Sequence, residues 1–99
     1  MKNIVLMCSQ GASTSMLAQA MQKEADKRGL DCKVDAMSVS RVGEVRDRAD
    51  AILLGPQVGY MQQQVAKEVP CPVATIGMSD YGMMNGAAVL DVALKAMGE

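Results

Sequence analysis

Ile4-Val5-Leu6-Met7 is an unbroken aliphatic run, and it leads straight into Cys8-Ser9-Gln10-Gly11-Ala12-Ser13-Thr14-Ser15. The run predicts a strand over Asn3–Met7 that is buried on both faces. Beyond the loop, Met16, Leu17, Ala20, Met21 and Ala25 recur at helical spacing, which predicts a helix over Ser15–Arg28. Lys23, Glu24, Asp26, Lys27 and Arg28 fill its solvated side, and Gly29 is placed to stop it as a C′ residue. A buried strand, a turn of small residues and an amphipathic helix, in that order, open a right-handed βαβ unit.

The alternation continues to the end of the chain. Leu30–Ala36 predicts a second strand, with Cys32, Val34 and Ala36 on one side and Asp31, Lys33 and Asp35 on the other, as on a half-exposed edge. Ser40 is placed to cap a short helix over Arg41–Ala49 that turns Val42, Val45 and Ala49 inward. Ala51-Ile52-Leu53-Leu54 is apolar throughout and predicts a central strand, broken by Gly55-Pro56-Gln57. A helix over Val58–Val69 follows, with Met61, Val65 and Val69 inward and Gln62, Gln63 and Gln64 exposed. Pro70-Cys71-Pro72 is a rigid connector, Val73–Ile76 a fourth strand, Gly77–Gly86 a loop, and Ala87–Met97 a last helix. Strands alternating with helices imply one α/β domain over residues 1–99: a three-layer α/β/α sandwich around a four-stranded parallel sheet of order 2-1-3-4. In such sheets ligands sit beyond the carboxyl ends of the strands, where the strand order reverses. That puts Cys8 beside Gly55-Pro56-Gln57.

Cys8 stands where the first strand ends and the chain must turn sharply. Successive backbone N–H groups in such a turn, with the unpaired N–H groups of the helix's first turn, form a concave anion site. Gly11 and Ala12 leave room for a close ligand, and the hydroxyls of Ser9, Ser13, Thr14 and Ser15 add donors. Together these make a phosphate site with a sulfur at its lip. Free cysteine has a pKa of roughly 8.5, and a helix N-terminus lowers it. Cys8 is therefore a candidate nucleophile that carries a phosphoryl group. The alternative is a buried cysteine ending a core strand, which would have no use for the glycine and hydroxyls after it. Cys32 reads as core packing and Cys71, between two prolines, as structural.

The 99 residues contain no histidine, so histidine general-base chemistry is excluded, and no metal or cofactor site is expected. Ten basic and eleven acidic residues, with no basic cluster, disfavour nucleic acid. No apolar run nears the ~20 residues that span a bilayer and no secretory signal is present, so a cytoplasmic domain is expected. Phenylalanine and tryptophan are absent, and ten methionines supply much of the aliphatic volume. Methionine also suits adaptable contact surfaces.

At Cys8–Ser15 the chain resembles the enzyme IIB component of the bacterial sugar phosphotransferase system. Leu53-Leu54-Gly55-Pro56-Gln57-Val58-Gly59-Tyr60-Met61 narrows the resemblance to the lactose/cellobiose/chitobiose class. The resemblance covers essentially the whole chain. It implies that Cys8 takes a phosphoryl group from a IIA phosphohistidine. Cys8 would then donate it to a disaccharide bound by the membrane-embedded IIC permease. Residues Ser9, Gln10, Gly11, Ala12, Ser13, Thr14 and Ser15 would form the phosphate loop, and Gln57, Tyr60, Asp80 and Tyr81 would border the site. Met16, Met61, Met83 and Met84 are candidates for the surface that meets these partners, on a protein expected to be a monomer. The loop also resembles that of low-molecular-weight tyrosine phosphatases, where an arginine follows the cysteine by six residues. Here that position is Thr14, and the guanidinium that clamps a transition-state phosphoryl group is missing. A phosphatase would further need an acid, for which Asp80 is the obvious loop residue, although a turn or cap role suits it as well. An arsenate reductase-like thiol enzyme would need a resolving cysteine, and neither Cys32 nor Cys71 suits that role.

Overall fold

Along the first strand, successive side chains enter opposite buried layers: Ile4 and Leu6 join one apolar cluster, Val5 and Met7 the other. The computed structural model describes residues 2–9 and 12–98, and for residues 12 and 13 the backbone alone. In chain order it contains β1 (Lys2–Cys8), α1 (Ala12–Lys27), β2 (Cys32–Ser38), β3 (Ala51–Leu54), α2 (Gln62–Glu68), β4 (Val73–Thr75), α3 (Met78–Gly82) and α4 (Gly86–Ala96). The four strands form one parallel sheet of order β2-β1-β3-β4, with Ile4 level with Val34 and Ala51. This is the expected α/β arrangement, with the strand order reversing between β1 and β3.

Leu17, Met21 and Ala25 of α1 and Val89, Leu90 and Ala93 of α4 cover one face of the sheet. Val42, Val45, Val58 and Val65 cover the other. Sheet faces buried on both sides explain the continuous apolar runs of β1 and β3. Only β2 alternates, as befits an edge, and its Cys32 is buried in the first cluster. Gly29 ends α1 with φ +71°. Its N–H donates to Asp26 O and that of Leu30 to Ala25 O, the paired bonds of a Schellman cap. Gly86 opens α4 against α1 so closely that a Cβ there would lie 2.6 Å from the Ala20 carbonyl carbon.

Five local expectations are corrected. The segment after β2 is a 3₁₀ stretch, Val39–Glu44, kinked at Arg41, in place of a helix over 41–49. Its cap is Ser38, whose hydroxyl accepts from the Ser40 N–H at 3.3 Å; Ser40 is not the cap. The helix foreseen over 58–69 begins as a 3₁₀ segment, Pro56–Met61, and becomes α2 only at Gln62. Gln62 is not exposed: its amide donates to Val73 O at 3.3 Å and accepts the Thr75 hydroxyl, pinning α2 to β4. The loop foreseen over 77–86 contains the short helix α3.

Candidate active site at the carboxyl end of the sheet

Cys8 is the last residue of β1, so the sheet itself fixes its position. Beside it on β2 lies Ser38, its partner in register, whose hydroxyl donates to Ser9 O at 3.1 Å. That bond ties the first residue of the loop to the end of the neighbouring strand. On the other side, Gly55 donates its N–H to Met7 O at 2.7 Å. A Cβ on Gly55 would sit 3.6 Å from Cys8 Cβ and 3.3 Å from Gln57 Oε1. Gly55, which opens the Gly55-Pro56-Gln57 turn, thus lies against Cys8, where the reversal of strand order places it.

Thr14, in the first turn of α1, is fully buried, and its hydroxyl donates to Cys8 Sγ at 3.5 Å. Cys8 is itself only 4% exposed, so the sulfur lies beneath the surface and not at a lip. Ser9 is exposed, and Ser15 lines an open groove between α1 and β2 with Gln19, Val34 and Asp35. Gln10 and Gly11, and the side chains of Ala12 and Ser13, lie outside what the structure describes.

Of the expected bordering residues, Gln57 and Tyr60 are exposed, and Asp80 is half-buried in α3. Tyr81 is buried in the core shared by α1 and α4. The proposed contact methionines divide. Met16 and Met83 are exposed, whereas Met61 and Met84 pack against the two cores. Met84 does so from a left-handed backbone, φ +51°. Met78, at the start of α3, is 75% exposed and was not foreseen. Its only sequence signal was its place in a loop at the carboxyl end. Met16, Tyr60, Met78 and Met83 are the large exposed apolar residues among those described, and all four follow the carboxyl ends of strands.

The other thiols are remote. Cys32 is level with Lys2 and Ser38 with Cys8, so Cys32 lies six residues along the sheet, about 20 Å from Cys8. Cys71 precedes β4, at the opposite end of the sheet, and burial pushes its pKa up, with the nearby Asp50 charge adding to the effect. A disulfide needs Cα atoms within about 7 Å, so neither can resolve an oxidised Cys8 in this fold.

The family model for the lactose/cellobiose-specific IIB subunit of the phosphotransferase system matches residues 3–92. The chain belongs to this family. The galactose-specific EIIB component of Lactococcus lactis subsp. cremoris is 40% identical over 104 residues, covering 97% of this chain and 96% of that protein. The oligo-beta-mannoside-specific EIIB component of Bacillus subtilis is 35% identical over 100 residues, covering 98% and 97%. Among solved structures, the cellobiose-specific IIB component of Borrelia burgdorferi superposes with a TM-score of 0.76 at 34% identity, over 98% of this chain and 92% of that one. The lactose-specific IIB domain of Streptococcus pneumoniae gives 0.84 at 15% identity over 96% of each, which speaks for the fold. A shorter match, 29% identical over 66 residues, falls on 12% of the lactose-specific EIICB component of Streptococcus mutans. This IIB subunit is thus a sugar phosphotransferase component of the cellobiose/lactose type. Among its described residues, no helix is long and apolar enough to cross a membrane.

Proposed function

We propose that this IIB subunit is a phosphoryl relay at the cytoplasmic face of the membrane, with Cys8 as the carrier. The Cys8 thiolate attacks the phosphorus of a IIA phosphohistidine; the S–P bond forms, the N–P bond breaks, and the imidazole leaves. A hydroxyl of a disaccharide held by the IIC permease then attacks the same phosphorus. The O–P bond forms, the S–P bond breaks, and the hydroxyl proton is left for the returning thiolate. Residues 9–15 hold the phosphoryl oxygens through backbone N–H groups and hydroxyls, with Gln57, Tyr60 and Asp80 around them, while Tyr81 packs in the core behind. The observation that carries the reading is the meeting of Cys8 with the first turn of α1 and the end of β3, in a chain of the IIB family.

Thr14 stands where a phosphatase loop has arginine, and loss of one preorganised donor costs ~10²–10³-fold in rate. Water therefore competes poorly for the phosphoryl group. The purified phosphoprotein should keep its label in buffer and release it only when permease and disaccharide are added, with negligible turnover of aryl phosphates. Rapid spontaneous loss of label, with fast Cys8-dependent hydrolysis of aryl phosphates, would establish a phosphatase instead.

Both partners must cover the same thiol in turn, and Met16, Tyr60, Met78 and Met83 are the apolar residues available to them. Changing Met78 and Met83 together to serine should slow transfer from IIA about tenfold. The melting temperature should hold, because neither side chain is buried. An unchanged transfer rate removes them from the interface.

A further inference from the structure

We infer that Thr14 is a positioning residue for Cys8: its buried hydroxyl donates to Sγ and holds the sulfur in its anionic, attacking form. This rests on the relay reading but concerns the sulfur before any phosphate arrives. Thr14 is fully buried, and a hydroxyl that leaves water is costly unless it finds partners. One partner is Cys8 Sγ, 3.5 Å away. The geometry is fixed from both ends, since β1 sets the sulfur and the first turn of α1 sets the hydroxyl. A donor aimed at sulfur favours the thiolate over the thiol, because a hydrogen bond to a charged acceptor is roughly twice as strong as one to a neutral acceptor. The residue that replaces the phosphatase arginine thereby assists the nucleophile, where the arginine would have clamped the transferred group.

The test is the pH dependence of iodoacetamide alkylation at Cys8, read by peptide mass spectrometry so that Cys32 and Cys71 do not contribute. Thr14→Val keeps the shape and removes the donor. The alkylation midpoint should move up by about one pH unit, with a roughly tenfold slower rate at pH 7. Thr14→Ser, which keeps the hydroxyl, should restore the parent midpoint. A parent-like midpoint in folded Thr14→Val overturns the inference. If that variant melts below the assay temperature, Thr14→Ala gives the same readout. A purely structural threonine would change the melting temperature and leave the midpoint in place. The assay involves no phosphoryl donor, so its failure would leave the relay reading standing, and failure of the relay would leave the alkylation result standing.

Discussion

Cys8→Ser should lose phosphoryl acceptance by at least about 10³-fold while the domain stays folded. Serine is close in shape to cysteine, and Thr14 already supplies a polar neighbour at that buried point. The hydroxyl, however, has no accessible anionic form near neutral pH, and the chain contains no histidine to serve as its base. Reactivity and packing are therefore separable at this position. The measurement is the rate of label uptake from a phosphohistidine donor, with circular dichroism confirming the fold. Uptake at the parent rate would show that another side chain is the acceptor.

The largest effect on stability is expected from Gly86→Ala. Helix propensity alone predicts a gain of up to about 1 kcal/mol for this change. Sterics oppose it: the added Cβ would lie 2.6 Å from the Ala20 carbonyl carbon and 2.8 Å from its oxygen. These are backbone atoms of α1, so no side chain can rotate away, and the two helices must part along a fully packed face. Overpacking of this kind costs roughly 1–3 kcal/mol or somewhat more. The net loss should be about 2 kcal/mol, which lowers the melting temperature of a domain this size by about 10 °C. Thermal melting followed at 222 nm reads it directly, and a melting temperature at or above the parent's would show that propensity wins.

Sequence and structure agree where a long-lived physical constraint acts on a run of residues. Three apolar runs and one alternating segment, each followed by a helical stripe or a turn, were enough for a parallel sheet with Cys8 at the reversal of strand order. Gly29 marked the end of α1 because only its backbone freedom suits that cap. Disagreement begins where the choice lies between neighbours of equal chemistry. Ser38 and Ser40 are both good caps, and nothing in their local chemistry distinguishes Ser38, which takes the role. A 3₁₀ stretch and an α-helix share the same apolar spacing over a single turn, so Val39–Glu44 and Pro56–Met61 could not be told from α-helix. Gln62 sits in a run of three glutamines, and its distinguishing partners, Val73 and Thr75, are more than ten residues away.

The candidate site shows the same division. Its chain of small and hydroxylated residues was legible, and so was its place in the sheet. The burial of Cys8 was not, because Gly55 approaches its Cβ and Thr14 its sulfur from two other parts of the chain. Nor was the division of the methionines. Met84 packs against the core from a left-handed backbone that no local pattern announces, while its neighbour Met83 stays in solvent.

Locating the phosphate tests the central claim most directly. After incubation with a phosphohistidine donor, fragmentation by tandem mass spectrometry under conditions that spare thiophosphate bonds should place a single phosphoryl group on the Cys8 sulfur. Phosphate on the hydroxyl of Ser9, Ser13, Thr14 or Ser15, with Cys8 unmodified, would contradict it.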